Sequence, residues 1–73
     1  LWRVTPARVL VSGVVPRDKG LTLILNETGG RAARYSVVLL SPTQEKIGEK
    51  SGRIEKYGTV DVSIPVEEAV SNE

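Results

Sequence analysis

The residue types that most often carry chemistry are missing from this sequence. Its 73 residues include no histidine and no cysteine, so it has no acid–base imidazole, no thiol nucleophile and no disulfide. Carboxylates remain, but Asp61, Glu67 and Glu68 do not have a spacing that is typical of a metal site. We therefore expect a protein that is not an enzyme, with no catalytic residues, no metal and no cofactor.

A polar segment at residues 26–31 runs from the end of a predicted strand into a predicted surface turn at 27–31, and it offers two further candidates for a site. Asn26 begins an Asn-Glu-Thr tripeptide that matches the acceptor pattern for N-glycosylation; the alternative is an asparagine that bonds its own turn. The amides of Gly29, Gly30 and Arg31 could together hold an anion. A phosphate-binding glycine loop normally opens a helix, however, and the residues that follow have the pattern of a strand.

Basic and aromatic residues make nucleic-acid binding the alternative function. Proteins that bind single strands combine a basic surface with aromatic rings on which bases stack. The candidates in this chain are Arg3, Arg8, Arg31, Arg34, Tyr35, Trp2 and Tyr57. A total of three aromatic residues and a net charge of only +1 weigh against this function, so it is the second hypothesis.

The elements that must position these residues are predicted to be β-strands. Apolar side chains alternate with polar ones, or form short β-branched runs, between segments rich in glycine and proline. Glycines at 48, 52 and 58 predict turns and one or two short edge strands near 44–56. The four well-defined strands are predicted at residues 7–15, 21–26, 33–40 and 59–66.

These strands predict an all-β fold in a single domain. The turns recur at the spacing of a small antiparallel sandwich with five or six short strands; the alternative is a small barrel of the OB or SH3 type. The domain spans residues 1–73, with a core over 7–66 and a tail over 67–73. Alternation within the strands places Leu23 and Val62 on the core face.

The order of elements from residue 23 onward resembles a known family. Leu23-Ile24-Leu25-Asn26-Glu27-Thr28-Gly29-Gly30 is followed by a strand at 33–39 and later by Gly58-Thr59-Val60-Asp61-Val62. Over residues 7–66 this order resembles the immunoglobulin-like modules of prokaryotic surface proteins, particularly the cell-adhesion-related domain of bacteria and its archaeal relatives. The resemblance implies a non-catalytic structural or interaction module, in surface or filament architecture or as an accessory domain of a larger extracytoplasmic protein.

Modules of that family usually continue with two more strands, which this sequence does not contain after the Gly-Thr-Val strand. We therefore expect a partner chain to complete the sheets, as a homo-oligomer formed by strand or sheet-face pairing. The predicted interaction surface is Trp2, Val38, Leu40 and Tyr57, since Val38 and Leu40 end an otherwise polar face. Trp2 alternatively covers one end of the core.

Charge and composition add expectations about the environment. Residues 1–36 carry six basic and two acidic residues, whereas residues 37–73 carry four and seven. This division either drives head-to-tail association or disappears as strands from both halves mix. No apolar run approaches the roughly 18 residues of a membrane helix, and no signal peptide is visible.

The compartment is unknown from the residues themselves, and the resemblance favours the cell surface or another extracytoplasmic location. The chain has no methionine, two asparagines and one glutamine, while 26% of its residues are charged. Few thermolabile side chains together with many charges are typical of thermophile proteins.

Overall fold

The structure is a computed structural model that describes residues 1–65, and all its regular elements are β-strands. The strands are β1 (Trp2–Thr5), β2 (Val9–Arg17), β3 (Gly20–Glu27), β4 (Ala33–Leu40), β5 (Lys46–Ile54) and β6 (Thr59–Pro65). Within this part of the chain there is no helix, and so none that is long and apolar enough to cross a membrane. The predicted tail at residues 67–73 lies outside the described residues.

The six strands form two antiparallel sheets of three strands each. Sheet 1 has the order β1-β4-β5, and sheet 2 has the order β2-β3-β6. Neither sheet closes on itself, because each has two strands at its edges. The all-β sandwich predicted from the sequence is therefore confirmed, and the barrel alternative is wrong.

The core lies between the two sheets and follows from the alternation of side chains along each strand. On β3, Leu23 and Leu25 are buried, and on β6, Val62 and Ile64 are buried, while Asp61 is exposed to water. The core faces predicted for these strands are correct. The buried apolar cluster consists of Val9, Leu23, Leu25, Ala33, Tyr35, Val37, Leu39, Ile54, Val62 and Ile64.

Strand β5 corrects the prediction for residues 44–56. The expected edge strand is present, but it is one strand of nine residues that pairs with β4, without turns at Gly48 and Gly52. Its glycines occur where neighbouring atoms leave no room for a side chain. A Cβ on Gly52 would lie 2.6 Å from the Tyr35 hydroxyl, and one on Gly48 would lie 2.9 Å from a side chain of β6. These glycines permit close packing and do not end the strand.

Strand β2 is displaced by two residues from the predicted span of 7–15, and it contains a bulge. It continues through Pro16 and Arg17, so the turn to β3 is only two residues long. Its register with β3 shifts between Val11 and Gly13, which makes Ser12 an additional residue. Both proline and bulges are tolerated here because β2 is an edge strand of sheet 2.

Three of the five connections pass between the sheets, and all three lie at one end of the sandwich. They are residues 6–8, 28–32 and 55–58, which join β1 to β2, β3 to β4 and β5 to β6. The other two connections are hairpin turns at the opposite end. We call the end with the three connections the crossover end. Its loops lack a hairpin ladder, so they need other hydrogen-bond partners.

Truncating the centre of the core should remove a large share of the stability. Leu23 is fully buried, and we expect Leu23→Ala to lower the free energy of unfolding by about 2–4 kcal/mol, through lost transfer energy and the cavity left behind. Leu10→Ala removes the same atoms from a residue that is 52% exposed and should cost less than about 1 kcal/mol. Urea denaturation measures both values, and equal losses would show that the two faces are wrongly assigned.

Candidate functional site

The crossover end is built around Glu27. This residue ends β3 and continues the inward-facing series of Leu23 and Leu25, so its carboxylate enters the interior and only 2% of the residue is exposed. The expectation of a surface turn is wrong for Glu27. A buried charge is costly unless it is paired and hydrogen-bonded, so the partners of this carboxylate decide whether the fold can hold it.

Three backbone amides donate to one carboxylate oxygen of Glu27. Oε1 accepts hydrogen bonds from the N–H groups of Gly30 at 2.8 Å, Tyr57 at 2.9 Å and Arg31 at 3.2 Å. Gly30 and Arg31 belong to the connection after β3, whereas Tyr57 belongs to the connection after β5. One oxygen therefore joins two loops that are distant in the sequence.

The second oxygen is held by an arginine and a further amide. Oε2 accepts hydrogen bonds from Nε of Arg8 at 3.0 Å and from the N–H group of Gly29 at 2.7 Å. Nη2 of Arg8 also donates to the carbonyl of Ala32 at 3.3 Å. Since Arg8 lies in the connection between β1 and β2, the Glu27 carboxylate contacts all three loops of the crossover end.

Backbone hydrogen bonds join the same loops a second time. The Arg8 carbonyl accepts hydrogen bonds from both the N–H group and the hydroxyl of Thr28, each at 2.8 Å. The N–H group of Glu27 donates to the Gly58 carbonyl at 3.0 Å. Across residues 1–65, every buried side-chain nitrogen or oxygen has a hydrogen-bond partner. No buried side-chain polar atom of the described crossover end is therefore left without a partner.

The amides of residues 29–31 do converge on an anion, as was considered from the sequence, but the anion is the protein's own carboxylate. Consecutive N–H groups that point to one place favour a negative charge there. Glu27 occupies that place in this fold. These amides are therefore committed to Glu27 and do not form a pocket for a phosphate.

Two opposing effects set the pKa of Glu27. Burial raises the pKa because it disfavours the charged form, but the amides of Tyr57, Gly29, Gly30 and Arg31 outweigh burial and lower the pKa from 4.5 to about 2. The carboxylate is therefore ionised at neutral pH. It acts as a fixed acceptor for the loops and not as a group that exchanges a proton near pH 7.

Tyr57 has an uncommon backbone conformation for a large residue. Its φ is +53°, a left-handed conformation that is unfavourable for a bulky side chain, and its hydrogen bond to Glu27 offsets that cost. The ring lies against Gly30, where φ is +78° and where a Cβ would come within 2.8 Å of the Tyr57 hydroxyl. Tyr57 remains 72% exposed, so it covers the loop while facing solvent.

The four residues predicted as an interaction surface lie in three separate places. Val38 and Leu40 are half-buried on the outer face of sheet 1. Trp2 lies opposite Leu39 on the inner side of β1 and is 41% exposed. Tyr57 lies at the crossover end, which is the opposite end of the sandwich. A contact of these residues with a partner stays a prediction.

Asn26 lies in strand β3 and not in a turn. Its Oδ1 accepts a hydrogen bond from the Thr59 hydroxyl at 2.8 Å. The hydroxyl of Thr28, the third residue of the glycosylation pattern, donates to the Arg8 carbonyl. Both side chains therefore have partners within the fold, and glycosylation of Asn26 stays a prediction.

The basic and aromatic residues considered for nucleic-acid binding do not share one surface. Tyr35 is buried in the core, and Arg8 is paired with Glu27. Arg3 and Arg34 are exposed on the outer face of sheet 1, whereas Trp2 and Tyr35 lie on its inner face. The aromatic stacking platform that single-strand binding uses is not assembled in this part of the chain.

The exposed edge of β2 was not predicted as a site. Leu10, Val14 and Val15 make up half of the six large apolar residues that are exposed within residues 1–65. A signal for this surface was present in the sequence, because apolar residues occupy both faces of residues 9–15. Only one face of a strand can enter the core of a two-layer sandwich, so Leu10 and Val15 on the other face must meet water or a partner. Val14 faces inward but is still 41% exposed.

Metal binding finds no support in the described residues. Between residues 1 and 65, no group of three or more His, Cys, Asp or Glu side chains is placed to hold a metal ion. Glu67 and Glu68 lie outside the described residues.

Comparison with known proteins assigns no family to the chain. No family model, no curated protein and no solved structure matches it. The resemblance to immunoglobulin-like modules therefore stays a prediction, and the function has to be argued from the surface and the chemistry of the sandwich.

Replacing the Glu27 carboxylate should destabilise the fold. In Glu27→Gln an amide group replaces one carboxylate oxygen, so some of the N–H donors face another donor, and Arg8 loses its charge partner. We expect thermal denaturation at pH 7 to show a Tm that is lower by roughly 10 °C or more. Glu49→Gln is the matched control, because Glu49 is exposed and, within residues 1–65, forms an ion pair with Lys46 alone; its Tm should change by no more than about 2 °C.

The pH dependence of stability should also show the contribution of the ionised Glu27 carboxylate. The folded pKa of Glu27, about 2, lies below the unfolded value of 4.5, so the unfolded chain binds more protons between these values. The stability that Glu27 contributes is thus complete above that window and is lost as the pH falls through it. Tm measured between pH 2 and pH 7 should fall less steeply with acid in Glu27→Gln than in the wild type; parallel profiles would contradict the role of the ionised carboxylate.

Proposed function

We propose that this domain is a non-catalytic interaction module that pairs with a second copy of itself through the edge of strand β2. The observation that carries the proposal is the composition of that edge. From Val9 to Pro16 the strand has no charged residue, and Leu10, Val14 and Val15 are exposed along it. An open, apolar strand edge is a template for the addition of another strand.

The other edge strands are protected by charge, which disfavours pairing. Their charged residues are Arg3 on β1, Asp61 on β6, and Lys46, Glu49, Lys50 and Arg53 on β5. The only charge on β2 is Arg17 at its end, and its Nε donates to the Thr22 hydroxyl of β3 at 3.2 Å. Among the described edge strands, β2 therefore offers the longest span without a charged side chain, from Val9 to Pro16.

The bulge gives β2 a pattern that is complementary to itself. Because Ser12 is an additional residue, Leu10 and Val15 both face outward, while Val11 and Val14 both face inward. Without the bulge, Leu10 and Val15 would lie on opposite faces of the strand.

An antiparallel pair of β2 strands with a two-fold axis between residues 12 and 13 uses this pattern. In that register, Leu10 lies opposite Val15 of the other copy, and Val11 lies opposite its Val14. Each apolar residue then meets an apolar residue on the same face, which is the favourable arrangement for cross-strand pairs. A two-fold contact of this kind uses the same patch on both copies and closes after two.

Such pairing would extend sheet 2 of each copy into a continuous sheet of six strands. This architecture suits a structural module of a surface assembly or filament, or an accessory domain of a larger extracytoplasmic protein, which is also what the resemblance to immunoglobulin-like modules implies. Because a two-fold contact closes, a filament would need a second contact elsewhere on the molecule.

Light scattering after size-exclusion chromatography at several concentrations tests the pairing. We expect the wild type to move from the monomer mass towards twice that mass as concentration rises. Leu10→Lys should weaken the dimer at least about tenfold, because it places a charge opposite an apolar residue at each end of the paired strands.

Leu1→Lys is the matched control. It makes the same change at a residue that is 76% exposed, but Leu1 lies beside Leu40 of sheet 1, where its carbonyl accepts the Leu40 N–H. This variant should dimerise as the wild type does. A wild type that stays monomeric at every concentration overturns the proposal. If both variants lose dimer affinity equally, the contact would lie at the surface around Leu40 and not at β2.

A further inference from the structure

Two arginines lie directly opposite each other on the outer face of sheet 1. Arg34 of β4 is the cross-strand partner of Arg53 of β5, and both residues are exposed. Side chains in such positions start about 5 Å apart, and like charges placed there destabilise a sheet. The packing of the core does not require this pair, since both side chains point away from it.

Neighbouring carboxylates neutralise this face only in part. Glu55 pairs with Arg53 at 3.0 Å, but both side chains are well exposed, and such pairs are weak in water. Glu49 pairs instead with a lysine at the other end of β5. Within residues 1–65, Arg34 and Arg3 have no ion pair at all.

A row of hydroxyl groups crosses the sheet beside the arginines. Thr5, Ser36 and Ser51 are cross-strand partners on β1, β4 and β5. Outward-facing residues on one strand are about 7 Å apart, so this row lies between the Arg34–Arg53 pair and Arg3. We call these six residues, Arg3, Thr5, Arg34, Ser36, Ser51 and Arg53, the arginine–hydroxyl face.

Charge is also divided between the two sheets. The strands of sheet 1 carry five basic residues and one acidic residue, whereas those of sheet 2 carry one basic and two acidic residues. The strands of each sheet come from both halves, so the halves do mix. The positive charge is concentrated on one side of the sandwich, where it attracts anions.

We propose that the arginine–hydroxyl face binds an acidic polysaccharide. Sulfate or carboxylate groups of the polymer pair with the arginines, whose planar guanidinium groups bind such oxyanions with two parallel hydrogen bonds. Sugar hydroxyls bond to the row formed by Thr5, Ser36 and Ser51. An anion between Arg34 and Arg53 also removes the repulsion between them, so binding relieves a cost that the free protein carries.

Nucleic acid fits this face less well. Binding of single strands depends on aromatic rings on which bases stack, and the aromatic residues lie elsewhere: Tyr35 in the core, Trp2 on the inner side of β1 and Tyr57 at the crossover end. Readout of a duplex needs an element that enters a groove, whereas this surface is the broad face of a sheet. An acidic polysaccharide requires only the charges and hydroxyl groups that are present.

A binding titration with dextran sulfate in about 50 mM salt tests the proposal, because charge contacts are strongest when screening is low. We expect the wild type to bind dextran sulfate and to ignore neutral dextran. The double variant Arg3→Gln, Arg34→Gln should bind at least about tenfold more weakly, since each lost charge-assisted hydrogen bond is strong. Lys19→Gln, Lys56→Gln is the matched control with the same net charge, and it should lose less than about threefold.

The outcomes separate the proposal from its alternatives. If the wild type does not bind dextran sulfate, the proposal is overturned. If both double variants lose the same affinity for dextran sulfate, binding depends on overall charge and not on the arginine–hydroxyl face, and the proposal is overturned as well. An oligothymidylate of matched length is the third probe. If it binds as tightly as dextran sulfate, and if its binding is weakened by Arg34→Gln, the ligand class would be nucleic acid and not polysaccharide. The dimer experiment on Leu10 is independent of each of these results.

A second readout tests the repulsion itself. Arg34→Gln alone should raise the Tm by about 1–4 °C, because it removes one of two like charges that face each other. The gain should shrink in about 1 M salt, where charges are screened within a few ångströms. A Tm that falls in Arg34→Gln would show that the pair is not a cost to the fold, and the argument for a bound anion would fail with it.

Discussion

The fold depends on one constraint, which is that a buried carboxylate must keep its hydrogen-bond donors. The Glu27 side chain has no exposed surface, and burial of its charge is tolerated because five N–H groups point at its two oxygens. Those donors come from the three connections that pass between the sheets. The same requirement therefore sets the positions of all three loops, and it explains why Tyr57 holds a left-handed backbone conformation that a large residue otherwise avoids.

The two sheets that this constraint holds together have different surfaces. Sheet 1 places charged side chains along its edges and its outer face, whereas sheet 2 leaves the apolar edge of β2 open. The two proposed contacts use different parts of the molecule, because pairing through β2 leaves the arginine–hydroxyl face of each copy accessible. A dimer would then present two such faces to one polymer, and two linked contacts bind a long ligand more tightly than either does alone.

Most of the fold could be predicted from local pattern, and the failures have a common physical cause. The strands β3, β4 and β6 follow from alternation of apolar and polar residues. The glycines of β5 are typical of turns, and the sequence does not show that the Tyr35 hydroxyl occupies the space where a Gly52 side chain would lie. Glu27 shares the core-facing alternation of Leu25, but a glutamate two residues before Gly-Gly has the composition of a surface turn. In both places the deciding neighbour is far away in the chain.

By itself, the sequence determined the class of the protein: an all-β domain whose residue types offer no histidine or cysteine chemistry, with a core face that can be assigned from alternation. These properties are local, since they depend on residue type and on the period of a strand. The tertiary structure alone decided which residues meet across the sheets. It placed Arg8, the amides of residues 29–31 and Tyr57 around Glu27, set Arg34 opposite Arg53, and left β2 at an edge. These relations depend on strand order and register, which fix contacts between residues that no local pattern connects.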